Sequence, residues 1–155
     1  MLSLKNNMEY TILRATKETE RAASYFVRIC AMNRKYHIPL KDEFDEHDND
    51  SSKYVILLDD TYPISTARFY EIDKDTALIG RVVVLDEYRN KGIGKLTMLE
   101  AEKWIKELGY KKIIIDSRLE AIDFYKKCGY SLVNNTCCCK TKTKTFECIR
   151  MEKEI

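Results

Sequence analysis

The chain has 155 residues, 45% of them apolar, which suits one globular domain spanning residues 1–155. Charged residues make up 34%, but 27 basic side chains nearly balance 25 acidic ones, so the chain has no strong net field to attract a polyanion. We therefore expect no nucleic acid and no membrane surface among its partners.

The N-terminal residues contain no apolar run of the length that a signal peptide requires, and no segment is long enough to span a bilayer. The sequence therefore predicts a cytoplasmic protein, in which the six cysteines are reduced thiols. The run Cys137-Cys138-Cys139 invites a metal interpretation, but no Cys-x2-Cys pair or nearby histidine completes a tetrahedral set. We expect no metal site.

The first half of the chain predicts one strand, one helix and then a meander. Polar and apolar residues alternate from Glu9 to Ala15, and a helix from about Arg21 to Met32 follows a group of capping residues. The acidic segment, residues 39–53, is typical of an exposed loop with at most one helical turn. Three strands joined by short turns follow, which predicts antiparallel pairing: Tyr54–Leu58, Ile64–Glu71 and Ala77–Leu85.

The second half predicts a crossover and a hairpin. A long amphipathic helix, Gly92–Leu108, leads to the apolar strand Ile113–Asp116, and this arrangement requires a parallel, right-handed crossover. A shorter helix is indicated by apolar spacing from Ala121 to Cys128. Two further strands, Tyr130–Val133 and Phe146–Met151, flank the polar connection from Lys140 to Thr145. The prediction is a mixed α/β sheet with helices on both faces.

The feature that points to chemistry is the glycine-containing loop before the long helix. Its residues are Arg89, Asn90, Lys91, Gly92, Ile93, Gly94 and Lys95, and they follow the strand Val82-Val83-Val84-Leu85. The first N–H groups of a helix lack partners, so glycines at a helix start allow a phosphate to approach them. The alternative is an ordinary strand-to-helix turn in which the glycines serve geometry only.

Two nucleotide-binding motifs fit this loop poorly. A P-loop needs a glycine where Arg89 stands and a Ser or Thr where Leu96 stands. A dinucleotide-binding fold would use Asp116, which follows at about the expected interval. However, Thr97 occupies the place of its third glycine, and six residues separate strand from helix where that fold turns tightly.

A third interpretation accounts for more of the chain. The run Arg89-x-x-Gly92-x-Gly94 resembles the [R/Q]-x-x-G-x-[G/A] motif of the GNAT superfamily of acyl-CoA-dependent N-acetyltransferases. The run from Ala121 to Tyr130 resembles that superfamily's second signature, and the match covers roughly Tyr54 to Val133. The resemblance implies a mostly antiparallel mixed sheet of about six to seven strands with one parallel, splayed pair. Glu43-x-Asp45-x-x-Asp48, with the stretch Pro63–Arg68, more weakly resembles a branch of small bacterial members.

The resemblance also implies a site. Acetyl-CoA would lie along Val82, Val83 and Val84, with the free main-chain groups of Val82 and Val84 holding its pantetheine arm. Its pyrophosphate would lie on the amides from Arg89 to Lys95. Tyr125 matches the superfamily's tyrosine that protonates the leaving thiolate, although an aromatic side chain at this helical spacing also suits a core.

The residues leave the general base and the acceptor open. Glu71 and Asp116, each ending a strand, are the best candidate bases, and Asp86 is a weaker one, although strand-end acids are often solvated turn residues. The acceptor implied is a primary amine of a small molecule or peptide, and the acidic segment would favour a cationic one. A homodimer is common in the superfamily. The alternative function is a non-catalytic acyl-CoA-binding regulatory module, with a nucleotide-binding domain more remote.

Overall fold

The computed structural model describes residues 9–140 and 145–155, and it describes the side chains of 9–133 and 147–155. The strands are β1 (Tyr10–Arg14), β2 (Lys53–Asp59), β3 (Tyr62–Asp73), β4 (Thr76–Val84), β5 (Lys112–Arg118), β6 (Ser131–Lys140) and β7 (Thr145–Glu154). The helices are α1 (Glu18–Arg28), α2 (Arg34–Tyr36), α3 (Leu40–Glu43), α4 (Ile93–Glu107) and α5 (Ile122–Lys127). A π-helical turn, Ile29–Asn33, joins α1 to α2.

The described strands form one seven-stranded sheet in the order β1-β2-β3-β4-β5-β7-β6. Neighbouring strands are antiparallel except β4 and β5, which are parallel and joined through α4. The predicted class, a mixed and mostly antiparallel sheet with one parallel pair, is confirmed.

The helices cover both faces of this sheet. Successive side chains of a strand point to opposite faces. On β3, the Ser65 hydroxyl lies 2.7 Å from the hydroxyl of Thr97 in α4, whereas that of Thr66 lies 2.6 Å from Ser24 in α1. We therefore name the two sides the α4 face and the α1 face.

The core forms where apolar stripes meet the sheet. In α4, the residues Met98, Ala101 and Ile105 recur at helical spacing and are fully buried. The strand β5 contributes Ile113 and Ile115, which alternate along it and are also buried. None of the described helices has both the length and the apolar character needed to cross a membrane.

Two local predictions differ from the structure. The acidic segment is not an exposed loop, because Asp42 and Glu43 are buried and the segment folds against the α1 face. The last two strands extend beyond their predicted bounds, and β6 includes Cys137-Cys138-Cys139, whose side chains lie outside the described residues. Residues 141–144 of the predicted connection also lie outside them.

Candidate active site

A gap opens between the parallel strands β4 and β5. They pair at only three positions, Thr76 with Lys112, Ala77 with Ile113 and Leu78 with Ile114. Beyond these, β4 remains paired with β3 as far as Val84, and β5 remains paired with β7 as far as Arg118. The two strands therefore diverge toward their carboxyl ends, which leaves main-chain groups of β4 without a strand partner on the β5 side.

A β-bulge in β4 decides which main-chain groups face this gap. Gly80 pairs with Arg68 and Val83 pairs with Thr66, so two residues, Arg81 and Val82, stand opposite one residue of β3. Arg81 has a φ of 52°, in the left-handed region.

Two hydrogen bonds beyond the bulge show which residues of β4 turn their main-chain groups toward β3. The N–H of Leu85 donates to the carbonyl of Ile64 at 2.9 Å, and the Val83 carbonyl accepts a hydrogen bond from the Ser65 hydroxyl at 3.1 Å. Since the main-chain groups of a strand alternate in direction, those of Val82 and Val84 face the gap. The main chain of Val83, also predicted at the cofactor, turns toward β3.

The start of α4 lies at the mouth of the gap. Gly92 immediately precedes the helix with a φ of 77°. Apart from its chain neighbours, none of the residues that the structure describes lies within 4 Å of the Cβ that another residue would carry there. The first intrahelical donor is the N–H of Leu96, which bonds to the Gly92 carbonyl at 3.2 Å. The amides of Ile93, Gly94 and Lys95 are therefore first-turn donors without an intrahelical acceptor, an arrangement that suits a phosphate group.

Helix α5 packs against this helix start. A Cβ on Gly94 would lie 3.1 Å from Cζ of Phe124 and 3.6 Å from a methyl group of Val84, so Gly94 is needed here for packing. This contact places α5 beside the open end of β4. The next residue, Tyr125, is buried, and its ring meets the Tyr130 ring edge to face at 6.1 Å between centroids. Burial raises the pKa of the Tyr125 phenol, so the phenol retains its proton beyond the ordinary range.

Asp116 lies beside the gap on the α1 face. It stands two residues after Ile114, the last residue of β5 that pairs with β4. Its carboxylate accepts hydrogen bonds from Nε and Nη2 of Arg150 on β7, at 2.8 and 3.0 Å. Tyr70 lies close enough for the charge of Asp116 to affect the pKa of its phenol. Burial raises this pKa, the charge of Arg68 lowers it, and the charges of Asp45 and Asp116 raise it.

The other candidate bases lie elsewhere. Glu71 follows Tyr70 on β3 and therefore points to the α4 face, where its carboxylate accepts a hydrogen bond from the Tyr110 hydroxyl at 2.7 Å. Together with Tyr110, Tyr70 and His47, it lines a cavity of about 370 Å³. The structure does not bring Glu71 to the gap. Asp86 lies in the loop before α4, paired with Lys35 at 3.1 Å and Arg89 at 3.3 Å.

Comparisons with known proteins identify the family of the chain. The model of the acetyltransferase (GNAT) family matches residues 14–130. The chain belongs to this family. As a GNAT protein it is an acyltransferase. It is 26% identical over 120 residues to the uncharacterized N-acetyltransferase YjcF of Bacillus subtilis, and the aligned region covers 77% of this chain and 84% of YjcF.

Solved structures show the same fold. A Lactobacillus plantarum protein described as an N-acetyltransferase superposes with a TM-score of 0.85 at 27% identity, covering 94% of this chain and 97% of that one. A GNAT family acetyltransferase from Elizabethkingia anophelis, solved with acetyl-CoA bound, superposes with a TM-score of 0.73 at 19% identity, covering 94% and 98%. At that identity the second structure supports the fold alone.

In this GNAT domain, arginines of the same chain neutralise the acidic segment. Arg28, whose side chain is fully buried, pairs with Glu43 at 3.0 Å and Asp48 at 2.7 Å. Arg68 pairs with Asp45 at 2.7 Å and Asp48 at 3.0 Å. The central carboxylates of the charge run, which was expected to favour a cationic acceptor, are thus bound by arginines of the same chain.

No local sequence pattern indicated these arginine partners. The only signal was the spacing Glu43-x-Asp45-x-x-Asp48, together with Arg68 in a later motif. His47, in the acidic segment, stacks on Tyr70 with ring centroids 3.8 Å apart. Among the side chains of residues 9–133 and 147–155, no group of three or more His, Cys, Asp or Glu residues is placed to hold a metal ion.

Proposed function

We propose that the protein transfers an acetyl group from acetyl-CoA directly to a primary amine of a small molecule or peptide. The observation that carries this proposal is the main chain of Val82 and Val84, which faces a gap that none of the described strands fills. The pantetheine arm contains amide groups, and these can pair with a free strand edge as an added strand does. Acetyl-CoA supplies the activated thioester for the reaction.

The loop before α4 would hold the pyrophosphate. The first-turn amides of Ile93, Gly94 and Lys95 lie where this loop enters α4, and the helix dipole adds positive potential at the same place. Gly92 leaves the approach open, since no atom of the described residues beyond its chain neighbours lies within 4 Å of its missing Cβ. The side chains of Arg89 and Lys91 and the main chain of Asn90 complete the proposed binding loop.

Two side chains have proposed roles in proton transfer. Tyr125 would donate its proton to the departing thiolate, and its raised pKa keeps the phenol in the donor form. Asp116 would accept a proton from the amine, directly or through a water molecule, because it is the candidate carboxylate beside the gap. Glu71 has no role in this proposal, since it lies on the opposite face of the sheet.

The direct test is an acceptor screen. Purified protein is incubated with acetyl-CoA and a panel of amines that includes amino acids, polyamines, aminoglycosides and peptides with free α- or ε-amines, and release of the CoA thiol is measured. Thermal shifts with CoA, NAD and ATP test binding separately, because a ligand that binds only the folded state raises the apparent stability. Binding of CoA without thiol release from any amine supports a regulatory module instead. Absence of CoA binding contradicts the whole proposal.

A further inference from the structure

Arg81 adopts an unusual main-chain conformation at a critical position. Its φ of 52° lies in the left-handed region, which is unfavourable for a residue that carries a Cβ. Such a conformation persists only where the surrounding structure holds it. Here it forms the first residue of the bulge in β4, directly before Val82.

The acidic segment supplies the contacts that hold Arg81. Its Nε donates to the Glu43 carbonyl at 3.1 Å, and its Nη2 donates to the Asp45 carboxylate at 3.1 Å. Both partners are fixed in turn, because Glu43 pairs with the buried Arg28 and Asp45 pairs with Arg68. The guanidinium of Arg81 is thus attached to an anchored segment and not to a mobile loop.

The bulge determines which amides face the gap. The main-chain groups of β3 alternate in direction without interruption. If β4 had no bulge, the main-chain groups of Val82 and Val84 would point toward β3, as those of Gly80 do. The one extra residue shifts the alternation by one position. As a result, Val82 and Val84 face the gap and Val83 pairs with β3. Loss of the bulge would invert this pattern.

We propose that Arg81 is a positioning residue: by binding Glu43 and Asp45 of the acidic segment, it stabilises the β4 bulge that turns Val82 and Val84 toward acetyl-CoA. This inference rests on the proposed function for its kinetic consequence. The acidic segment thereby supports β4, the strand proposed to bind acetyl-CoA, and its negative charges hold Arg81 in place.

Two substitutions separate the side-chain contacts from the backbone strain. Arg81→Ala removes the contacts and keeps a Cβ in the left-handed region, so the bulge becomes unfavourable. Arg81→Gly removes the same contacts, but glycine adopts positive φ without strain, so the bulge persists. Arg21→Gln is the matched control, because Arg21 pairs with Asp50 of the same segment and with Glu18 of its own helix.

Steady-state kinetics give the first readout. We expect Arg81→Ala to raise the KM for acetyl-CoA about tenfold while the KM for the amine stays unchanged, and Arg81→Gly to remain within about threefold of the parent protein. Arg21→Gln should match the parent protein. An unchanged acetyl-CoA KM in a folded Arg81→Ala variant, or equal impairment of the Ala and Gly variants, overturns the proposal.

Residue-resolved amide exchange gives a second readout that does not depend on activity. The amide of Val83 should be protected in the parent protein and in Arg81→Gly, and should lose protection in Arg81→Ala. If the parent protein fails to bind acetyl-CoA, the proposed function is wrong, while this exchange pattern still decides the role of Arg81. Equal Val83 protection in all variants contradicts that role.

Discussion

The guanidinium of Arg150 holds the carboxylate of Asp116 by two hydrogen bonds, at 2.8 and 3.0 Å. The two residues lie directly opposite each other on β7 and β5. A paired guanidinium fixes the plane of a carboxylate, since the fork geometry of arginine matches both oxygens. Asp116 is therefore presented beside the gap in one defined orientation.

Replacing Asp116 by Asn tests its proposed role as the base. The amide cannot accept the proton of the acceptor amine, so we expect kcat to fall by about 10²-fold or more. Acetyl-CoA binding should be unchanged, because the proposed contacts to acetyl-CoA come from β4 and α4. Steady-state kinetics and calorimetric titration measure the two effects.

Arg150→Lys serves as the companion variant. Lysine keeps the positive charge but lacks the planar fork, so we expect a smaller loss of kcat than with Asp116→Asn. An Asp116→Asn variant with parental turnover would exclude Asp116 from the chemistry.

Tyr125→Phe tests the proposed acid. Removing the phenol should lower kcat by about 10–100-fold, within the usual range for a general acid, and should leave acetyl-CoA affinity within about twofold. Burial raises the pKa of Tyr125, so the neutral, donating form persists to higher pH than in a free tyrosine. Accordingly, the parent enzyme should show no loss of kcat attributable to this group up to about pH 10.

Tyr130→Phe is the control for this experiment. Tyr130 is also a buried tyrosine, but its hydroxyl donates to Glu102 in α4 at 3.0 Å and has no proposed role in catalysis. We expect Tyr130→Phe to lower the melting temperature with little change in kcat. Similar kinetic losses in both variants would indicate that the Tyr125 effect is structural.

The sequence predicted the elements that depend on local pattern. The apolar spacing along α4, the start of that helix within one residue of Gly92 and the crossover to β5 all follow from neighbouring residues, and the structure confirms them. The diverging strand pair was implied by the family resemblance.

The sequence could not show the features that depend on distant partners. The acidic segment looked solvated because Arg28, Arg68 and Arg81, which neutralise it, are scattered along the chain. The position of Glu71 in the sheet could not be read from the sequence for a different reason. The face that a strand residue occupies follows from register, and a one-residue change moves a side chain to the other face of the sheet.

The close contact between Gly94 and Phe124 predicts a coupled effect. A Cβ at position 94 would meet the Phe124 ring at 3.1 and 3.2 Å, so the ring must move. We expect Gly94→Ala to lower the melting temperature and kcat, because the ring lies edge to face against Tyr125, with centroids 5.0 Å apart. Thermal unfolding and kinetics of the single variant give the two losses.

The double variant Gly94→Ala with Phe124→Leu should recover part of the stability, because the smaller side chain leaves room for the new methyl group. Strict additivity of the two single substitutions would contradict this coupling. Gly92→Ala provides a contrast. Its Cβ would meet no described residue beyond its chain neighbours within 4 Å, but its φ of 77° disfavours alanine, so replacing Phe124 should not rescue it.

The burial and ion pair of Asp48 predict how stability depends on the acidic segment and on pH. Its side chain is 6% exposed and pairs with Arg28, whereas Asp50 is 94% exposed and pairs with Arg21. Asp48→Asn leaves Arg28 with less compensation in a buried site, so we expect a loss of about 3 kcal/mol in the free energy of unfolding. Asp50→Asn, the matched control, should stay within about 0.5 kcal/mol of the parent protein.

The pH dependence follows from the direction of the pKa shift. Burial alone would raise the pKa of Asp48, but hydrogen bonds and charge from Arg28, with the charge of Arg68, hold it well below its ordinary value. A carboxyl group with a depressed folded pKa stabilises the fold above its unfolded pKa, about 3.9, and this contribution is lost as the pH falls further. Urea unfolding at pH 7, 5 and 3 should therefore show the difference between the parent protein and Asp48→Asn shrinking only at the lowest pH. A difference that is equal at all three values, or equal losses in the Asp48 and Asp50 variants at pH 7, would show that the ion pair with Arg28 does not stabilise the segment.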